Sequence, residues 1–373
     1  MRTVRIRNTA SPRARSNSAP PPVLVETVRG SIVEAQQRGH VVQVGADGSV
    51  EAALGDTDVL VPLRSCAKPF GLVAFVEAGA AEAFRVTPPE LAIMASSHSG
   101  EDLHVRTIQG LLRRAGISQA LLGCGAEGAP LDQLTATRLT RDGERAGAIR
   151  HNCSGQHASL LLLSKHAGWS LDGYWEPDHP SQIAFRLALA RAFGVGPESL
   201  ATAVDSCGLL TYQFPLVEVA RAFALLADPA GVTIDSGRRS VAPALRRIRD
   251  AMLAAPDLVG GMRDRLDTAL MKALPGRMVA KGGAEALCGV ALLPGSRGNR
   301  GAAGLALKIE DGDASRRAAP LATVDALRQV GALTDEALRR LAPYRRTLSY
   351  DPRGIVVGET RPRFELAPVA ELR

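Results

Sequence analysis

Residues 23–50 read VLVETVRGSIVEAQQRGHVVQVGADGSV, and this stretch decides the fold class. Runs rich in Val, Ile and Thr alternate with Arg29-Gly30, Arg38-Gly39 and Asp47-Gly48, dipeptides that turn hairpins, so the spacing predicts consecutive strands as far as Leu63. After Ser65 the period changes. CAKPFGLVAFVEAGAAEAF from Cys66, PPELAIMASS behind the candidate N-cap Thr87, and DLHVRTIQGLLRRAG from Asp102 carry apolar residues at helical spacing. Further helices are expected at 157–168, 181–194, 214–227, 242–254 and 261–273. Strand character returns from 278 to about 309 in MVAK, LCGVALL and GLALKIE, followed by a helix near 318–330 and a last strand near 354–358. Strands at both ends with helices between predict an α/β (α+β) fold, one antiparallel sheet built from both termini plus an inserted helical layer. The expected organisation is a solvated basic tail over 1–22 and a single domain over 23–373. Its helical part covers about 66–275, its sheet part about 23–65 and 276–373.

The 373 residues are 46% hydrophobic and 22% charged, with 37 Gly and 23 Pro, which excludes a disordered, collagen-like or coiled-coil chain. No apolar run reaches ~18 residues, so no membrane span is expected. The net charge is +7, but Arg2, Arg5, Arg7, Arg13 and Arg15 lie in the tail and leave about +2 for the body. A nucleic-acid partner loses its main argument, and the tail lacks the apolar segment of a secretory signal. Five Cys without a CxxC pair suit a reducing cytoplasm. The 45 basic residues include only five Lys: Lys68, Lys165, Lys272, Lys281 and Lys308. Arg serves as well as Lys on a solvated surface but cannot lose its proton, so the surviving lysines mark candidate sites of proton chemistry.

Ser65-Cys66-Ala67-Lys68 is an SxxK pattern, with a hydroxyl and an amine one turn apart. Chance alone gives about 0.3 such matches here, so the pattern needs support. Pro69 disfavours helical geometry at Lys68 and places Ser65 at or just before a helix start, where free N–H groups can stabilise an oxyanion. Ser96-Ser97-His98-Ser99 lies at a break between helices, and Ser99 reads as an N-cap. His151-Asn152-Cys153-Ser154-Gly155-Gln156-His157 places a thiol and an imidazole one turn apart, as metal ligands or as a buried thiol and a cap. Asp205-Ser206-Cys207 offers a carboxylate and a thiol. In Lys281-Gly282-Gly283 a rare Lys ends a strand beside glycines that allow close approach. The GxGxxG over Gly123–Gly128 has no strand before it and Ala129-Pro130 after it, so it reads as a loop. HExxH, GxxxxGK[ST] and GxSxG are absent.

Together RSCAKPF, ASSHSGE, HNCSGQHA, VDSCG, VAKGGAEAL and LALKIEDGD resemble, over about residues 23–370, the bacterial L-asparaginases of the Rhizobium etli type, also called class 3. The resemblance implies a serine β-lactamase/glutaminase-like fold and two catalytic Ser-Lys tandems, Ser65 with Lys68 and Ser97 with Lys281. It implies substrate contacts from Arg64, His98, His157, Asp205 and Gly282, a zinc ion near Cys153, Asp205 and Cys207 that the chemical step does not need, and a homodimer. Gln156 stands where that family carries a Lys at its metal site. An amide is a much poorer zinc ligand than an amine, so weakened zinc binding is expected, with His157 as a stand-in. The expected function is hydrolysis of L-asparagine to L-aspartate and ammonia. Ser65 would be the nucleophile, Lys68 its base, and Ser97 with Lys281 the proton relay. The resemblance leaves open which Ser attacks. A glutaminase or other β-lactamase-like amidohydrolase, or a zinc-binding relative without catalysis, are the alternatives.

Overall fold

The computed structural model describes residues 20–233, 237–313 and 317–368. Nearly all of the expected basic tail, residues 1–19, lies outside them. The strands are β1 (Val23–Arg29), β2 (Ile32–Gly45), β3 (Val50–Leu54), β4 (Leu60–Pro62), β5 (Thr202–Val204), β6 (Leu210–Pro215), β7 (Met278–Gly282), β8 (Leu287–Leu292), β9 (Ala303–Ile309), β10 (Thr347–Tyr350), β11 (Val356–Pro362) and β12 (Ala367–Pro368). Nine of them form one antiparallel sheet in the order β10-β11-β1-β2-β9-β8-β7, with β3 also on β2 and β12 on β3. Both ends of the chain thus build one sheet, and the helices between them cover it.

The expected turn at Arg38-Gly39 is absent, and β2 runs straight through it. Arg38 pairs with Val23 of β1 and Gly39 with Ile309 of β9, so the strand changes neighbour there without reversing. Gly39 serves close approach instead of a turn, since a Cβ on it would lie 2.2 Å from the Lys308 carbonyl oxygen. Arg29-Gly30 and Asp47-Gly48 do turn the chain, with Gly30 at φ +59 and Gly48 at φ +83. In a second sheet, β4-β6-β5, β4 lies in the stretch expected to be strands, whereas β5 and β6 lie within the stretch expected to be helical. Its strands of three to six residues are too short to show a period of two.

Helix 216–227 (LVEVARAFALLA) packs on one face of the large sheet against β2, β8 and β9. Gly304 and Gly289 let it approach: a Cβ at Gly304 would meet the Ala220 carbonyl at 1.9 Å, and one at Gly289 the Phe223 ring at 2.0 Å. Helices 318–329 and 266–273 cover the other face, so apolar cores lie on both sides of the sheet. In the first core the Phe70 ring meets Phe193 and Phe223 edge-on at 5.4 and 5.5 Å. Burying such a ring stabilises by roughly 1.5–3 kcal/mol, and it anchors the short helix 68–71 that carries Lys68. No described helix is long and apolar enough to cross a membrane.

Candidate active site

The chain enters the site after β4 through a 3-10 turn over Arg64–Ala67 that leads into helix 68–71. Lys68 is helical, at φ −57 and ψ −47, although Pro69 follows it. The Ser65 carbonyl accepts the Lys68 N–H instead of waiting for a donor at residue 69, so the N–H that Pro69 lacks is not missed. Arg64 holds a left-handed φ of +46, a conformation that costs a non-glycine residue about 1–3 kcal/mol. Thr211 Oγ1 accepts its N–H at 3.0 Å and helps to hold that bend. Ser65 is half-buried, and among the described residues its hydroxyl makes no hydrogen bond to protein.

Ser97 is presented by helix 88–94, whose start carries the expected Thr87 cap in a capping box with Glu90. Gly155 lets helix 154–166 pack tightly on that helix, since a Cβ there would lie 2.1 Å from the Ile93 carbonyl oxygen. The Ser97 N–H donates to Val259 O at 3.1 Å. Its hydroxyl lies between two buried amines, 2.9 Å from Lys281 Nζ and 3.2 Å from Lys68 Nζ. Lys68 also donates to Ser96 O at 2.7 Å and meets Cys153 Sγ at 3.2 Å, so each of its three N–H groups has an acceptor. Lys281, fully buried at the end of β7, donates to Gly282 O at 2.6 Å. Burial lowers its pKa to about 8, and the Lys68 charge adds to this. The Cys153 thiol is held well below its ordinary value, first by the hydrogen bond from Cys207 and then by the Lys68 ammonium; Cys207 is pushed up by the same pairing.

The other expected contacts are distributed differently. Arg64 Nη2 pairs with Asp205 Oδ1 at 2.7 Å and donates to Ser206 Oγ at 3.1 Å, at the edge of the Ser65 turn. His98 has no exposed surface and both ring nitrogens are engaged: Nδ1 accepts from the Gly100 N–H at 3.1 Å and Nε2 meets Ser154 Oγ at 2.9 Å. Ser154 gives its own proton to Ile149 O, so His98 donates through Nε2 and braces the Ser97 loop from behind. His157 is equally buried, and burial takes its pKa down to about 3; its Nδ1 meets Tyr174 OH at 2.6 Å. Gly282 gives its N–H to Asp267 Oδ1 at 3.0 Å, so both of its peptide groups are committed. Ser99 does not cap the next helix. Glu101 takes that place, its N–H donating to His104 Nδ1, and Ser99 Oγ donates to the Glu101 carboxylate at 2.7 Å.

Most positions implied for zinc are engaged elsewhere. Cys153 and Cys207 adjoin, but Asp205 is drawn to Arg64, His157 to Tyr174, and residue 156 offers an amide. Among the described residues no three His, Cys, Asp or Glu side chains converge as a metal-binding set. Two thiols do not close a tetrahedral zinc shell, so the residues present do not fit a structural zinc.

Sequence reasoning missed Asp267. A signal was available, since in LDTALMKAL Asp267 shares a stripe at i, i+3, i+4 and i+7 with Leu270, Met271 and Leu274, and all four are buried. The Gly123–Gly128 segment is a loop in the structure, as its flanks implied.

A paired set of lysines around a serine hydroxyl, mounted on an antiparallel sheet with a helical layer, is here the candidate site of an amidohydrolase. The chain belongs to the L-asparaginase II family, whose model matches residues 25–362. Solved structures similar to it include the Bacillus subtilis glutaminase in covalent complex with 5-oxo-L-norleucine, at 12% identity and a TM-score of 0.38, covering 80% of this chain and 89% of that one. Mglu in its tris and glutamate form is similar at 15% identity and a TM-score of 0.37, covering 85% of this chain and 65% of that one. Scores this low assign no shared activity. No curated protein sequence matches the chain.

Proposed function

We propose that the protein is an L-asparaginase of the Rhizobium etli type that hydrolyses L-asparagine to L-aspartate and ammonia through an acyl-enzyme. The observation that carries this reading is the Ser97 hydroxyl held between Lys281 at 2.9 Å and Lys68 at 3.2 Å. Two ammonium groups sharing one hydroxyl repel, so the pair gives up one proton below the ordinary lysine range. Lys68, with three acceptors for three N–H groups, is the resting cation. Lys281, with its lowered pKa, is the amine that becomes neutral.

Ser65 attacks the side-chain amide carbon in this scheme, because its hydroxyl is reachable and uncommitted whereas Ser97 is buried and wired to both amines. Lys68, which in the resting site faces Ser96, Ser97 and Cys153, passes a proton through Ser97 to neutral Lys281, then turns its neutral amine to Ser65 one turn earlier and takes the Ser65 proton. The proton then returns to the leaving nitrogen, ammonia departs, and water hydrolyses the ester by the same relay run in reverse. The first N–H groups of the 64–67 turn have no intrahelical partner, so the Ser65 amide can meet the developing oxyanion. The Arg64–Asp205 pair is a ready template for an amino acid: a substrate carboxylate replaces Asp205 at Arg64, and a substrate ammonium takes the freed Asp205. No step uses a metal.

The test is ammonia release from L-asparagine, L-glutamine and D-asparagine side by side. Turnover of L-asparagine at least tenfold above the other two is expected; glutamine turnover above asparagine turnover refutes the substrate, and no release from any of them refutes the enzyme reading. A homodimer is part of this proposal. Exposed Ile32, Val33, Tyr350, Ile355 and Val356, all near one end of the sheet, supply an apolar patch for it, and sedimentation of the wild type against Val356→Asp checks it.

A further inference from the structure

The buried carboxylate of Asp267 stands beside the relay and has no part in the scheme above. Its Oδ1 accepts the Gly282 N–H at 3.0 Å, and the carbonyl of that same glycine accepts Lys281 Nζ at 2.6 Å. One residue, Gly282, thus separates the carboxylate from the amine that contacts Ser97. Helix 266–273, which carries Asp267, packs directly on β7, so the helix position fixes the carboxylate relative to the strand end. Gly282 permits this approach, since a Cβ there would already lie 3.3 Å from Asp267 Oδ1. A carboxylate with so little exposed surface is expensive to keep unless its charge or its hydrogen bonds are used.

We propose that Asp267 is a positioning residue for the amide hydrolysis, which holds the Gly282 peptide so that Lys281 points at Ser97 and supplies the negative charge that keeps this buried amine able to accept a proton. The proposal rests on the Ser-Lys reading of the preceding section. The groups facing Lys281 are few. Lys68 on helix 68–71 and Arg265 beside helix 266–273 oppose its charge and Asp267 favours it; Cys66 of the 64–67 turn stays a neutral thiol whose Sγ donates to Lys281 O at 3.0 Å. Cys288 on β8 stays a neutral thiol next to Asp267, and helix 242–254, also packed on β7, buries only apolar residues such as Leu245, Ile248 and Met252. Burial and the two neighbouring cations each lower the Lys281 pKa, and the Asp267 charge opposes them.

Asp267→Asn keeps an acceptor for the Gly282 N–H and removes the charge. The expected result is a shift of the rising limb of the kcat profile to lower pH by about one unit or more, with KM for L-asparagine little changed. The second readout needs no substrate: NMR of protein labelled at the lysine ε-carbons, where five lysines give a sparse spectrum and Lys281→Arg identifies the resonance. Lys281 should titrate at lower pH in the Asn variant. An unchanged titration overturns the proposal even if kcat falls. If the wild type hydrolyses no amide, the substrate reading fails, and the titration still decides the role of Asp267. Should the Asn variant not fold, Asp267→Glu carries the test: a wild-type titration with kcat lowered tenfold or more supports positioning, and an unchanged kcat overturns it.

Discussion

Lys281 Nζ lies 2.9 Å from Ser97 Oγ, although 184 positions separate the two residues along the chain. One sits at the end of a buried strand, the other in the loop after helix 88–94. The contact therefore exists only when sheet and helical layer are docked, which under the proposed mechanism ties catalytic competence to the integrity of the whole fold.

Replacing either amine by a guanidinium keeps the charge but removes the ability to deprotonate near neutral pH. Lys68→Arg and Lys281→Arg should each lose on the order of 10²–10⁴ in kcat, the usual worth of a positioned base. Steady-state ammonia release checks this, and near-normal kcat in either variant would make that lysine a purely electrostatic group.

The pH profile follows from the lowered pKa of Lys281, about 8. At pH 7 only about a tenth of a group titrating there is neutral, so kcat should climb about tenfold from pH 7 and level off above about 9. Stability should move in the same direction. The unfolded chain, with an ordinary lysine near 10.5, binds more protons than the folded one between about 8 and 10.5, so this group adds stability as pH rises through that window. A kcat that is flat from pH 6 to 10 contradicts the assignment.

Gly155→Ala probes the seam between helices 154–166 and 88–94. The new methyl would lie 2.1 Å from the Ile93 carbonyl oxygen, a backbone atom that cannot rotate away. Overpacking of this kind costs about 1–3 kcal/mol, and because Ser97 follows the crowded helix, activity should fall further than stability accounts for. Urea unfolding read alongside kcat separates the two effects.

The metal can be removed from the question by experiment. With no three His, Cys, Asp or Glu side chains converging as a metal-binding set among the described residues and Gln156 in place of an amine, elemental analysis should find less than one zinc per chain after purification without added metal. Gln156→Lys should raise that content, and treatment with a chelator should leave measurable amidase activity in the wild type. Full occupancy would show that Gln156 is no handicap, and complete loss of turnover on chelation would assign the metal a role that the scheme denies it.

The sequence made some of this legible for physical reasons. The scarcity of Lys in an Arg-rich chain marked five candidates, of which Lys68 and Lys281 meet at Ser97. The short apolar runs of β1, β7, β8 and β9 announced a sheet built from both termini. What it hid was three-dimensional. Arg38-Gly39 carries a turn signal, yet Gly39 is there to admit the Lys308 carbonyl, which no local reading shows. SxxK implied a Ser65–Lys68 contact, but in the fold Lys68 turns to Ser96, Ser97 and Cys153. His98 and His157 look like ligand-binding residues among polar neighbours; in the fold they are neutral, buried and bonded on the inner side of the site. Asp267 was passed over because a single acid on an apolar stripe is easily taken for a solvated residue.

The most direct test of the central claim is to treat the enzyme with a diazoketone analogue of L-asparagine and locate the adduct by peptide mapping. A reactive methylene placed where the amide nitrogen leaves should alkylate the attacking hydroxyl, and the account predicts one adduct per chain on Ser65, abolished in Ser65→Ala and slowed in Lys281→Arg. An adduct on Ser97 would exchange the roles of the two serines. An adduct on Cys153, or none on either serine while the enzyme still loses activity, would contradict the Ser-Lys mechanism itself.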